Sequence, residues 1–261
     1  LKNVARWGRV SIFCPFEIYE TLQKNADGGK KFLQLTDLNF ELDDWWRVGP
    51  EEGPLRIDAF AQAPKLRKVA FQTRTSQRGS KVMLVLPWHQ LEQYCSQGYG
   101  DDALDNILQA NPKNLVYLNY VVATFHTHPP KHPLIMPKLQ VLRAQACENA
   151  GQLAALLDQL VLPSLVELQL RGRFTQEDRL FTKVKNLVAR SSCSLRTMEL
   201  DDGDTDINTF TQLLSLTPML ESLDITRPPD TMLATLILDP SSPDPVLPTL
   251  SKLTIEVSAN N

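Results

Sequence analysis

Residues 163–170 read Pro163-Ser164-Leu165-Val166-Glu167-Leu168-Gln169-Leu170. A proline stands two residues before a leucine, and that leucine opens an L-x-x-L-x-L pattern. From Glu167 to Leu170 polar and apolar residues alternate, the period of a half-buried strand. Leu168 and Leu170 therefore face one side, and Glu167 and Gln169 the other. The phrase recurs as Pro64 with Leu66, Val69 and Phe71, and as Pro137 with Leu139, Leu142 and Ala144. It returns as Pro218 with Leu220, Leu223 and Ile225, and as Pro248 with Leu250, Leu253 and Ile255. Copies without the proline are Leu115, Leu118 and Tyr120, then Leu195, Met198 and Leu200. Weaker ones are Trp7, Val10 and Ile12; Leu35, Leu38 and Phe40; and Leu91, Tyr94 and Ser96.

The first anchors fall at 7, 35, 66, 91, 115, 139, 165, 195, 220 and 250, a mean spacing of 27 residues. That period lies within the roughly 20–29 residues of leucine-rich repeats. Between the strand phrases lie stretches with helical apolar spacing, at 101–110, 151–160, 179–190 and 206–216. Prolines after several of them stop the helix and set up the next strand. The pattern predicts an α/β leucine-rich-repeat solenoid of about ten repeats, a single domain over 1–261. A parallel sheet lines its concave side, and helices or turns form the convex side. Segments 45–54, 124–133 and 239–248 are rich in turn formers and read as surface loops.

Composition narrows the function. Lys and Arg number 27 against 30 Asp and Glu, a formal net charge of −3. Nucleic-acid binding requires a concentrated basic face, and only the short stretch of Arg67, Lys68 and residues 74–78 leans that way; it reads as solvated surface. No apolar run is long enough to cross a bilayer, so no membrane partner is expected. The four cysteines, Cys14, Cys95, Cys147 and Cys193, form no C-x-x-C pair, which points to a reducing intracellular compartment, cytoplasm or nucleus. The chain opens at Leu1 with polar and aromatic residues unlike a signal peptide and reads as an excised fragment.

Several constellations bear on chemistry. His126, His128 and His132 lie among prolines with no nearby Cys, Asp or Glu to complete a metal set. Asp201, Asp202, Asp204 and Asp206 lack the ligand order and closing Glu of a calcium loop, and read as a strand-end loop with an N-cap. Gly28 to Lys31 lacks phosphate-loop spacing, and no G-x-S-x-G occurs. Cys147 and Cys193 read as buried packing residues, and Trp45, Trp46 and Trp88 as partly buried, Trp88 being a candidate contact. No metal, cofactor or catalytic group is expected, and the protein reads as a binding module rather than an enzyme. The candidate contacts are the polar positions alternating with the inward leucines: Tyr117, Asn119, Arg143, Gln145, Glu167, Gln169 and Arg171. Toward the C-terminus follow Glu199, Asp201, Asp224 and Glu256, an acidic run suited to a basic partner segment.

The phrases FAQAPKLRKVAF (60–71), LPWHQLEQY (86–94), ILQANPKNLVYL (107–118), LDQLVLPSLVELQLRG (157–172) and LVARSSCSLRTMEL (187–200) resemble the leucine-rich-repeat region of fungal F-box proteins. The resemblance covers nearly the whole chain. It implies the substrate-recognition part of an SCF-type ubiquitin ligase, with a protein substrate on the concave face. The Skp adaptor and cullin would be reached only through an F-box, and no F-box helix bundle stands in this sequence. The repeats also lack an asparagine ladder, since only Cys147 falls at the usual Asn or Cys position. A stand-alone interaction scaffold without a role in ubiquitylation remains the second expectation.

Overall fold

The computed structural model describes residues 4–15, 32–43, 55–73, 82–97, 107, 109–122, 133–146, 150–172, 174, 179–201, 207–226, 228, 232, 236 and 247–256. The chain divides into two compact units, Leu1–His128 and Pro129–Asn261. The division falls inside the proline-rich segment 124–133.

The first unit carries a row of five parallel strands: β1 (Arg9–Pro15), β2 (Asp37–Asp43), β4 (Lys68–Thr73), β6 (Gln93–Gln97) and β7 (Tyr117–Val122). A separate pair, β3 (Leu55–Ile57) and β5 (Val82–Leu84), is also parallel. The second unit repeats the plan with β9 (Val141–Ala146), β11 (Glu167–Arg171), β12 (Thr197–Asp201), β13 (Ser222–Thr226) and β14 (Lys252–Glu256). Its separate pair is β8 (Leu134–Ile135) with β10 (Leu160–Val161). Helices α1 (Ala150–Leu157), α2 (Leu180–Ser191) and α3 (Ile207–Ser215) connect its strands. Each unit is thus an α/β, solenoid-like stack of parallel strands. The short pairs β3–β5 and β8–β10 were not expected from the sequence.

Every strand of the two rows begins two residues after a sequence anchor. The cause is local and repeated. One carbonyl per repeat accepts the N–H groups of two successive residues of the next repeat, those just before and at its strand start. Thr36 C=O takes Arg67 and Lys68 N–H at 2.8 and 3.1 Å, and Val166 C=O takes Arg196 and Thr197 N–H at 2.8 and 3.1 Å. Glu221 C=O takes Ser251 and Lys252 N–H at 2.9 and 3.0 Å. The register is therefore pinned before each ladder starts, and a one-residue slip would turn every leucine outward.

The inward ladders form the cores. Leu35, Leu66, Leu91 and Leu115 are buried, as are Leu139, Leu165, Leu195 and Leu220, and the two alternating residues after each follow them inside. Phe40 stacks on Phe71 with ring centroids 5.9 Å apart, and Trp88 packs edge-on against Tyr94 at 5.0 Å. Trp88 is thus buried rather than partly buried, its indole packed against the Tyr94 ring, which leaves little of it for a partner to touch. Cys193 is buried as expected, and desolvation raises its thiol pKa. Ser96 and Tyr120 occupy equivalent inward positions of neighbouring strands, and their hydroxyls have no hydrogen-bond partner among the described residues.

The helices depart from the sequence reading at their ends. The apolar spacing predicts one helix over 151–160, but α1 stops at Leu157 because Leu160 and Val161 pair with Leu134 and Ile135. Arg179, read as helical, caps α2 from the left-handed region with φ 48°, and Ser192 closes it at φ 50° with its N–H on Val188 C=O. Gly172 ends β11 at φ 154°, where an added Cβ would stand 3.0 Å from the Ala146 Cβ and carbonyl oxygen. Of the segment 101–110, only Ile107, Gln109 and Ala110 are described, and these are helical.

Candidate functional site: the outward strand faces

Alternation that sends leucines inward sends the intervening side chains to the opposite face of each row. In the second unit this face carries Val141, Arg143 and Gln145 on β9, and Glu167, Gln169 and Arg171 on β11. Thr197, Glu199 and Asp201 follow on β12, Ser222, Asp224 and Thr226 on β13, and Lys252, Thr254 and Glu256 on β14. Val141 aside, every position is polar. All eight predicted residues of this unit, from Arg143 to Asp224, fall on that one surface, and so does Glu256.

Parallel pairing sets like positions side by side, so the charges interact across strands rather than along them. Arg143 Nε donates to Glu167 Oε1 at 2.7 Å. Glu199 accepts twice, from Gln169 Nε2 at 2.5 Å and from Arg171 Nε, and Gly172 N–H reaches Asp201 Oδ2 at 3.3 Å. The Glu199 hydrogen bond raises the Arg171 pKa further above its ordinary value. Five carboxylates share the face with three cations. Their repulsion shows at Asp224, whose carboxyl pKa is raised by partial burial, then by Glu199 and Glu256, against the opposing pull of Lys252 and Arg171. The surface thus runs from guanidinium groups on β9 and β11 to carboxylates on β12 and β13.

In the first unit Tyr117 and Asn119 stand on the outward face of β7, both half-buried, and Asn119 Nδ2 lies 3.5 Å from Cys95 Sγ on β6. Arg9 pairs with Asp37 at 3.5 Å. The equivalent positions Asn39, Ala70 and Cys95 were not among the predicted contacts, although the same alternation identifies them. Arg67 is engaged with Glu92 at 3.7 Å and with the Leu66 carbonyl at 3.0 Å, surface contacts within the chain. Residues 74–78, the histidines 126, 128 and 132, Gly28 to Lys31, Trp45 and Trp46, and the acidic positions 202–206 lie outside the described residues, and so does Cys147.

A second set of polar side chains was not foreseen. At five anchors the residue just before the leucine reaches back to the preceding repeat. Lys65 Nζ donates to Gln34 Oε1 at 2.6 Å, Gln90 Nε2 to Ala63 C=O at 2.7 Å, and Asn114 Nδ2 to His89 C=O at 3.0 Å. Ser164 Oγ donates to Pro137 C=O at 2.7 Å, and Thr249 Oγ1 to Pro218 C=O at 3.0 Å. Four of these rungs satisfy backbone carbonyls, and all five stitch successive repeats.

Among the described residues no group of three His, Cys, Asp or Glu side chains is placed to hold a metal ion, and no helix is long and apolar enough to cross a membrane. The class defined by this geometry is an α/β, solenoid-like protein with a polar, charge-paired strand face. Comparison with known protein families, curated proteins and solved structures gives no match.

Proposed function

We propose that this chain is a leucine-rich-repeat protein-binding module that holds a segment of another protein along its outward strand face. We further propose that it serves as the substrate-recognition part of an SCF-type F-box protein. The observation that carries the binding reading is the second unit's face: an almost wholly polar surface in which Arg143, Gln169, Arg171, Glu167 and Glu199 are held upright by cross-strand bonds. Groups pre-positioned in this way lose little side-chain entropy when a partner arrives. The paired arginines offer planar donors to carboxylates or carbonyls, and Asp201, Asp224 and Glu256 suit lysines or arginines. The ubiquitin-ligase reading rests on the sequence resemblance alone, and the strand face supports a plain interaction scaffold equally.

The binding reading is tested by placing a photo-crosslinking residue at Gln169, on the strand face, or at Asn186, exposed on α2. Adducts with one defined protein are expected from Gln169 and none from Asn186; the reverse pattern moves the site to the helix side. The ligase reading is tested separately, by capturing the full-length gene product from cells and probing for the Skp adaptor and a cullin. Both are expected with that product. Their absence there leaves the scaffold reading in its place.

A further inference from the structure

The last strand of the second row differs from the others in what covers it. In β11, β12 and β13 the inward residues are buried, Leu223 and Ile225 completely. Leu253 and Ile255 of β14 stand in register with that pair, yet are 43% and 37% exposed. Among the described residues β14 pairs only with β13. Lys252 N–H donates to Glu221 C=O at 3.0 Å, which turns the backbone groups of Lys252, and by alternation those of Thr254 and Glu256, toward β13. The N–H and C=O groups of Leu253 and Ile255 therefore point to the open edge. Apolar side chains and unpaired backbone groups coincide on one strand edge, a template for another strand.

The sequence of β14, Lys252-Leu253-Thr254-Ile255-Glu256, is complementary to itself when reversed. In an antiparallel pair centred on Thr254, Leu253 stands opposite Ile255 of the second copy, and both carry backbone groups aimed across the edge. Those two residues exchange N–H···O=C bonds on each side of the axis, and Thr254 faces its own counterpart as a non-hydrogen-bonded pair. Lys252 stands opposite Glu256, twice by symmetry, on the polar face. The apolar pairs meet on the inward face and continue its ladder. A parallel addition by β1 of another copy, in the register used throughout the rows, would oppose Lys252 to Arg9, two like charges. Of these two arrangements, the antiparallel one matches charge, apolar face and hydrogen-bond direction together.

We infer that β14 is a homodimerisation edge, pairing antiparallel with β14 of a second copy about a two-fold axis at Thr254. The surface is small beside that of obligate dimers, so the association is reversible and concentration-dependent.

Sedimentation velocity over a dilution series is expected to show a monomer–dimer equilibrium. Lys252→Glu and Glu256→Lys, made singly, each place like charges opposite one another at both symmetric positions, and each weakens the dimer by about tenfold or more. The two combined restore Glu opposite Lys and return the dimer constant toward its original value, an outcome that a merely disturbed strand does not produce. Hydrogen exchange of residues 252–256 is expected to slow as concentration rises. Four results overturn the inference. They are a monomer at every concentration, a dimer indifferent to the single changes, a double variant no better than the singles, or protection at 252–256 that persists on dilution. The last would mean that the edge is covered by its own chain.

Discussion

At the scale of single residues, one position decides whether a side chain belongs to the core or to the face. Leu168 and Glu167 are neighbours, but Leu168 is fully buried between Leu142 and Met198, whereas Glu167 lies on the face beside Arg143. Leu168→Ala is expected to lower unfolding free energy by about 2–5 kcal/mol, since both flanking ladders are fixed and cannot collapse onto the cavity. Glu167→Ala removes a partly exposed ion pair and should cost about 0.2–1 kcal/mol. Urea titration of both variants measures the difference, and equal losses would show the strand register to be wrong. Asp224 makes a pH-dependent case. Its folded pKa is raised, so the fold disfavours the ionised form, and the ionised group lowers stability at pH above its raised value. Below the unfolded value both states are protonated and the effect is absent. Asp224→Asn is therefore expected to raise the melting temperature at neutral pH, with the advantage fading as pH falls through the carboxylate range. An advantage that grows toward acid would reverse the sign of the shift.

At the scale of elements, strands and helices were legible in the sequence to different degrees. Alternation is a local signal, and the anchor leucine fixes the strand start by repeating the same turn, so even Leu91, Tyr94 and Ser96 led to a strand. The outward contacts followed from the same alternation. Helix ends did not, because what stops α1 is the pairing of Leu160 with Leu134, which is set by packing and leaves no periodic trace. The rungs before five of the leucines were hidden for another reason: Lys, Gln, Asn, Ser and Thr all serve, so no letter repeats. Arg190 shows how far such contacts reach. Near the end of α2, its guanidinium donates to Leu160 C=O at 2.9 and 2.8 Å and to Leu157 C=O at 2.7 Å, closing the end of α1. A cation there also meets the negative end of the α1 dipole. Arg190→Ala leaves carbonyls without their charged donor and should cost about 1–3 kcal/mol in denaturant titration. Arg190→Lys keeps the charge but not the fork, so it is expected to recover only part of the loss. Full recovery would mean that charge alone matters.

At the scale of the whole molecule, the described chemistry bears on what this chain can contribute to ubiquitylation if it works within a ligase. Passing ubiquitin through a covalent intermediate needs a cysteine that is accessible and readily deprotonated. Cys193 is the opposite: buried, with a thiol pKa raised by desolvation, so less of it is thiolate at neutral pH than in a free cysteine. Cys95 is half-buried on the strand face, its sulfur 3.5 Å from the Asn119 amide nitrogen. The proposed role is then one of position: on that reading the strand face would hold a protein and raise its effective concentration beside an enzyme assembled elsewhere. The positional role makes a direct prediction for Cys14→Ser, Cys95→Ser, Cys147→Ala and Cys193→Ala made together in the full-length gene product. It should support ubiquitylation of the crosslinked partner at close to the original rate, provided that circular dichroism shows it folded. The pair Arg143→Gln and Arg171→Gln, which removes both guanidinium groups from the face while retaining the cysteines, should lose capture and ubiquitylation together. A folded cysteine-free chain that still captures the partner but no longer supports its modification would show that a thiol of this chain takes part in the transfer, and the positional account would fail.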